Sequence, residues 1–205
     1  NPGHAYVPRF RNVYNQETDF LRGYAIGMSA SRQQEGTGDL VGDALREKLL
    51  NPSYGLWGMA AWMQGEMVPE ESNHLRLSKD EKDKYGIPKI ILSVEWKEND
   101  DKMTRDFLEQ QTEMYERMGF KNIKVEDTGA PPGSDIHEMG GVRMGKDPKT
   151  SLLNGFNQLH ACKNVFVSDG ACMTSGSTQN PTLTFMTLTA RAANHAVEEL
   201  NKQNL

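Results

Sequence analysis

Asn164-Val165-Phe166-Val167-Ser168-Asp169-Gly170 is a short apolar run closing on Asp-Gly, and Asn180-Pro181-Thr182 then opens a long apolar segment that runs through Leu200. The first stretch reads as a buried strand whose C-terminal end opens into a loop. In the second, Asn180 suits an N-cap and Pro181 the first helical position. Leu183, Met186, Ala190, Ala193, Val197 and Leu200 define one apolar helix face. Strand, long loop and helix in this order belong to an α/β layer, and most of such a layer is missing from the 205 residues.

Upstream the character is different. Phe20-Leu21-Arg22-Gly23-Tyr24-Ala25-Ile26 reads as a strand in which the Gly argues for a bulge or a close backbone approach. Leu40, Val41, Ala44, Leu45, Lys48 and Leu49 give a short helical pattern that Pro52 ends. Residues 54–96 read as an antiparallel β region. Trp57, Met59, Ala61 and Met63 alternate, a break falls at Val68–Glu71, His74, Arg76 and Ser78 alternate with Leu75 and Leu77, Lys84–Pro88 turns, and Ile90–Trp96 is β-rich. A helix is predicted from Asp101 to a stop at Gly119, with Met103, Phe107, Gln110, Met114 and Met118 as core filler along it. Ile123–Glu126 is predicted to be one more short strand, and Gly129–Gly133 a linker-like loop. The fold class is therefore α+β: an antiparallel sheet flanked by helices, plus a C-terminal strand–loop–helix of a different layer.

Composition narrows the function classes. A net charge of −5 argues against a nucleic-acid partner. No apolar run reaches the roughly 18 residues of a membrane span. Asn1-Pro2-Gly3-His4 carries neither a basic nor an apolar leader segment, and there is no initiator Met. The expectation is an internal or C-terminal piece of a longer protein. Cys162 and Cys172 do not form a disulfide framework and read as buried free thiols.

Several motifs are mimics. Gly36-Thr37-Gly38-Asp39-Leu40-Val41-Gly42 fails as a dinucleotide loop, because the third Gly comes one residue late and no buried strand precedes it; it reads as a flexible loop. His137-Glu138 lacks a second His four positions on, where Gly141 stands, so no metal site is expected. Gly176-Ser177 lacks the Gly-x-Ser-x-Gly elbow of a hydrolase, and Ser175 and Ser177 read as loop hydrogen-bonders.

His137 is the residue with chemical promise. It follows a Pro/Gly loop and precedes Gly140-Gly141, where backbone can approach a ligand closely. If its loop meets the loop ending at Asn180, a titratable base, an amide and a helix N-terminus converge, a set suited to stabilising negative charge.

These residues carry a resemblance. His137-Glu138-Met139-Gly140-Gly141-Val142-Arg143-Met144-Gly145 resembles the His-x-x-Gly-Thr-x-x-Met-Gly stretch of the glucose–methanol–choline (GMC) oxidoreductases, Asn164–Gly170 their following strand, and Asn180-Pro181-Thr182-Leu183-Thr184 their closing Asn-Pro-x-x-Thr motif. Asn73–Ser78 with Asp83–Pro88 is similar to their substrate-domain hairpin. Gly141 departs from the family's frequent Thr.

The resemblance implies residues 1–136 as a substrate-binding domain and 137–205 as the catalytic loop and a segment returning to an FAD domain whose N-terminal part is not in this chain. It implies His137 as general base, Asn180 as hydrogen-bond partner of the substrate oxygen, and FAD as hydride acceptor. Asp169, Gly170, Asn180, Pro181 and Thr182 are implied to lie at the cofactor. Gly140-Gly141, Trp57, Trp62 and Asn180 are similar to bacterial sugar-oxidising members such as gluconate or glucoside dehydrogenases, which implies a sugar or polyol substrate, with a cytochrome or another acceptor taking the electrons. The compartment stays open between bacterial cytoplasm and periplasm, and the chain alone is expected to bind FAD poorly. Two other readings stand beside this one: a carbohydrate-binding module built on Tyr54, Trp57 and Trp62, and a flavin-dependent lyase.

Overall fold

Alternating apolar and small residues along three segments build the main sheet: β1 (Gly3–Phe10), β2 (Tyr24–Gln34) and β3 (Tyr54–Gly65), antiparallel in that order. The structure is a computed structural model that describes residues 3–34, 36–134 and 136–205. Asn1-Pro2 and Glu35, parts of the leader and loop readings above, lie outside the described residues.

The pleat sends neighbouring side chains to opposite faces. The row Val7–Ile26–Met63 points to one face and the row Tyr6–Gly27–Trp62 to the other. The first face is covered by α2 (Glu98–Arg117), which starts three residues earlier than Asp101 and turns Met103 and Phe107 onto it. Phe20, Tyr24, Ile26, Met103 and Phe107 form the core, with Val7, Phe10, Met28, Ala61, Met63 and Leu108 packed around it. Each such buried side chain contributes about 1.5–3 kcal/mol. The face of α2 is corrected by the structure: Gln111 and Tyr115 are buried, whereas Met118 is exposed. Gln111 is tolerated there because its Nε2 donates to the Ala61 carbonyl and to the Tyr115 hydroxyl.

Gly23 behaves as the sequence suggested. A Cβ there would lie 2.6 Å from the Phe10 carbonyl oxygen, and the β1–β2 register slips between Val7 and Phe10. The strand starts at Tyr24 rather than Phe20, because Arg22 takes φ +69° and breaks the extended backbone.

The β region 54–96 resolves into two sheets, not one. β4 (His74–Lys82) and β5 (Pro88–Ser93) form a separate hairpin. Its turn is closed by the Asp83 carboxylate, which accepts from the Tyr85 and Ile87 amides. Trp96 lies beyond the strand, its indole donating to the Ala130 carbonyl. The helix α1 (Gly42–Leu50) ends as predicted before Pro52 but buries none of its residues.

Two predicted strands do not form. Ile123–Glu126 is irregular. In Asn164–Gly170 only Phe166 makes a bridge, to Gln158, and Asn164 and Val165 are exposed. Without neighbouring strands to accept its hydrogen bonds, an apolar run has no ladder to join. Residues 143–172 instead fold around fully buried Asn157, whose Nδ2 donates to the Val167 carbonyl and whose Oδ1 accepts from Arg191 on α3 (Thr182–Asn201). His195 of α3 stacks on Phe156 at 4.1 Å. Both cysteines are free, but only Cys172 is buried; Cys162 is exposed and donates its thiol to Asn164. Burial pushes the Cys172 thiol up. No helix among the described residues is long and apolar enough to cross a membrane.

Candidate functional site

The loop that carries His137 and the loop that ends at Asn180 meet. The Val142 amide donates to the Ala171 carbonyl at 3.0 Å, and the Met144 amide to the Cys172 carbonyl at 2.9 Å. Gly140, at φ +85°, passes so close to Thr174 that a Cβ would lie 3.3 Å from its carbonyl oxygen. At Gly176 a Cβ would lie 3.3 Å from Met139 and 3.8 Å from the His137 carbonyl oxygen. His137 itself is half-buried with φ +74°. That left-handed conformation is strained for a residue with a side chain, and such strain gathers at functional sites.

Asn180 is positioned from the sheet. Trp62 and Gln64 share one face of β3, and Glu66 follows just past its end at the same spacing. Gln64 Nε2 donates to Asn180 Oδ1 at 3.4 Å, and the Tyr6 hydroxyl donates to Gln64 Oε1 at 2.6 Å. Buried Glu66 accepts from the Ser175 hydroxyl at 2.8 Å and lies 3.6 and 3.7 Å from Arg9 and Arg22. Buried Thr178 donates to the Pro8 carbonyl. The loop ahead of α3 is thus fastened to β1 and β3 at four side chains: Ser175, Thr178, Gln179 and Asn180. Tyr6, Gln64, Glu66 and Thr178 were not singled out from the sequence. The period-two recurrence of polar residues after Trp62 is the signal that points to two of them.

The remaining sequence-predicted residues fall as follows. Asn180 does not cap the helix: Pro181 takes that place and no side chain caps it. The helix starts at Thr182, one residue later than that reading places it, so Asn180 precedes the cap position and its Oδ1 accepts from Gln64 instead. The first amides of α3 therefore lack a side-chain acceptor, and Thr182, Leu183 and Thr184 are exposed there. Asp169 is exposed and turns its carboxylate onto the Ala171 amide, capping the short 3-10 turn Gly170–Cys172. Gly170 is buried, and a Cβ there would lie 2.9 Å from the Phe185 ring and 3.1 Å from the Glu138 carbonyl. Gly141 has room for a side chain, with the nearest atom 3.5 Å from a Cβ, on Leu75. The donor set of uncapped amides beside Asn180 fits the electron-rich edge of a flavin ring. Among the described residues no group of His, Cys, Asp and Glu could hold a metal ion.

Trp57 and Trp62 lie five residues apart in a regular stretch of β3, so they point to opposite faces and do not form a single aromatic platform. Trp62 lies across Gly27 on the face of Gln64 and Tyr6.

Two segments thus meet ahead of an uncapped helix, beside an α+β sheet domain. The chain belongs to the GMC oxidoreductases: the family model of that description matches residues 69–189. It is 34% identical over 151 residues to 2-methyl-1,2-propanediol dehydrogenase of Mycolicibacterium austroafricanum, covering 72% of this chain and 26% of that protein. It is 29% identical over 196 residues to the fructose dehydrogenase large subunit of Gluconobacter japonicus, covering 91% of this chain and 35% of that protein. Over 119 residues it is 32% identical to the gluconate 2-dehydrogenase flavoprotein of Pantoea cypripedii, covering 54% of this chain and 19% of that protein. The chain thus spans well under half the length of these relatives.

Proposed function

We propose that residues 1–136 are the substrate domain, and residues 137–205 the catalytic loop and FAD-domain return, of an FAD-dependent oxidoreductase acting on a CH–OH group of a sugar or polyol. The observation that supports this reading is the packing of the His137 loop against residues 170–176 of the loop that leads to Asn180 and the uncapped α3.

His137 takes the proton of the alcohol hydroxyl as general base. Asn180 donates a hydrogen bond to the same oxygen and steadies the charge that develops on it. The first N–H groups of α3, from Thr182 onward, add the positive end of the helix dipole just past Pro181, which has no N–H of its own. FAD, when bound, supplies the two-electron acceptor for the carbon-bound hydrogen. Asp169 and Gly170 lie toward the cofactor's ribityl or phosphate part.

A sugar or polyol suits the face beside this site. Half-exposed Trp62, flat across Gly27, offers an apolar shelf for C–H groups, with Tyr6 and Gln64 as polar neighbours. The three relatives are named for a diol, fructose and gluconate. We favour a dehydrogenase that passes electrons to a cytochrome or another carrier. The chain by itself would bind FAD poorly, since the rest of that domain lies outside it.

The test is anaerobic mixing of the full-length flavoprotein with D-fructose, D-gluconate and 1,2-propanediol. Bleaching of the oxidised flavin by at least one is expected. A flavin that no alcohol bleaches would overturn the reading.

A further inference from the structure

We propose that Gln64, held by Tyr6, is a positioning residue that fixes the Asn180 side chain with its Nδ2 group turned toward substrate. The inference rests on the assignment of Asn180 to the substrate oxygen made above.

An asparagine amide offers either a donor or an acceptor to the same point in space. Only the donor assists an oxygen that is losing its proton; the acceptor would compete with His137 for that proton. Something must therefore choose the orientation. The single proton of the Tyr6 hydroxyl goes to the nearer acceptor, Gln64 Oε1 at 2.6 Å, rather than to the Thr178 carbonyl oxygen at 3.1 Å. A separation of 2.6 Å is an O–H···O length, whereas N–H···O contacts centre near ~2.9–3.0 Å. Gln64 therefore gives its oxygen to Tyr6 and keeps Nε2 for Asn180, where it lies 3.4 Å from Oδ1. With Oδ1 so engaged, the Asn180 group left over is Nδ2. A phenol keeps its proton at neutral pH, and burial pushes that of Tyr6 further up. The register makes the contact: Tyr6 pairs with Gly27 and Gln64 with Ala25, one row apart on the same face.

The direction of this relay is testable because glutamate mimics only one half of glutamine. In the full-length FAD-loaded protein, flavin reduction by D-fructose, D-gluconate or 1,2-propanediol is compared in Gln64→Ala, Gln64→Glu and Tyr6→Phe, each with and without Asn180→Ala. Gln64→Ala is expected to slow the limiting rate about tenfold, the size of one hydrogen bond, with little change in half-saturation. Gln64→Glu, nearly the same shape, is expected to do at least as much harm, because its carboxylate cannot donate to Oδ1. Neither should cost anything further once Asn180 is alanine. A fully active Gln64→Glu, or equal losses with and without Asn180, would overturn the proposal. A second readout needs no turnover: with 15N-asparagine labelling, the Asn180 side-chain amide resonance is expected to move in Gln64→Glu, and an unmoved resonance would sink the idea. If His137→Ala and Asn180→Ala leave reduction unchanged, the broader site assignment fails, and the resonance still decides the role of Gln64.

Discussion

The hydroxyl of Ser175 donates to the buried carboxylate of Glu66 at 2.8 Å, and so ties the loop ahead of α3 to the end of β3. Arg9 and Arg22 stand beside the same carboxylate. Arg22 is half-exposed, so its share is small. A buried carboxylate that accepts from a hydroxyl and faces a guanidinium is costly to disturb from either side.

Glu66→Ala is therefore expected to destabilise the protein by about 2–4 kcal/mol, and Ser175→Ala by about 1 kcal/mol. The two should be coupled, the double variant costing less than the sum. Urea unfolding of the four proteins measures this, and strict additivity would show that the bond contributes nothing.

Gly27→Ala addresses the shelf on the open face. A Cβ at Gly27 would sit 2.2 Å from the Trp62 indole. The ring must swing away, at a cost of about 1–3 kcal/mol. Trp62 should become more exposed, seen as a red shift in its fluorescence against a Trp57→Phe and Trp96→Phe background. An unshifted spectrum would show that the ring does not lie there.

The Tyr24 hydroxyl donates to Asp106 at 2.6 Å, and Arg11 grips the same carboxylate. Burial first, and then Asp106, push the Tyr24 phenol well above its ordinary value of 10.0. For an acid whose folded value is raised, the folded state holds its proton longer than the unfolded chain. Stability is thus unaffected below the unfolded value and falls as pH rises beyond it. Tyr24→Phe is expected to cost about 1 kcal/mol at neutral pH and to flatten this alkaline loss. Melting temperatures taken upward from neutral pH check it, and an identical alkaline slope in both proteins would contradict it.

How far the sequence carried this reading depends on where each residue finds its partner. The hairpin turn at Asp83–Ile87 and the stop of α1 before Pro52 were legible because they depend on local chemistry. The strand at Asn164–Gly170 was not, since a strand exists only with a neighbour, and this chain supplies one bridge. The apolar face of α3 that the sequence marks is one this chain leaves open. Leu183, Met186, Val197 and Leu200 are exposed, whereas Phe185, Ala192 and His195 pack on the chain's own body. The helix is apolar on two sides, and periodicity alone does not say which one this chain covers. At the site, His137 and Asn180 stood out through their motif settings. Their support did not, because Gln64, Glu66, Tyr6 and Thr178 are ordinary residues until the sheet brings them to the loop.

The central claim is that His137 removes the hydroxyl proton. It is tested most directly by the anaerobic rate of flavin reduction in the full-length protein, wild type beside His137→Ala, with whichever alcohol bleaches the wild type. A rate about 10²- to 10⁴-fold slower in the variant is expected, the usual size of a lost general base, with a smaller loss in Asn180→Ala. An unchanged rate in His137→Ala would contradict the account.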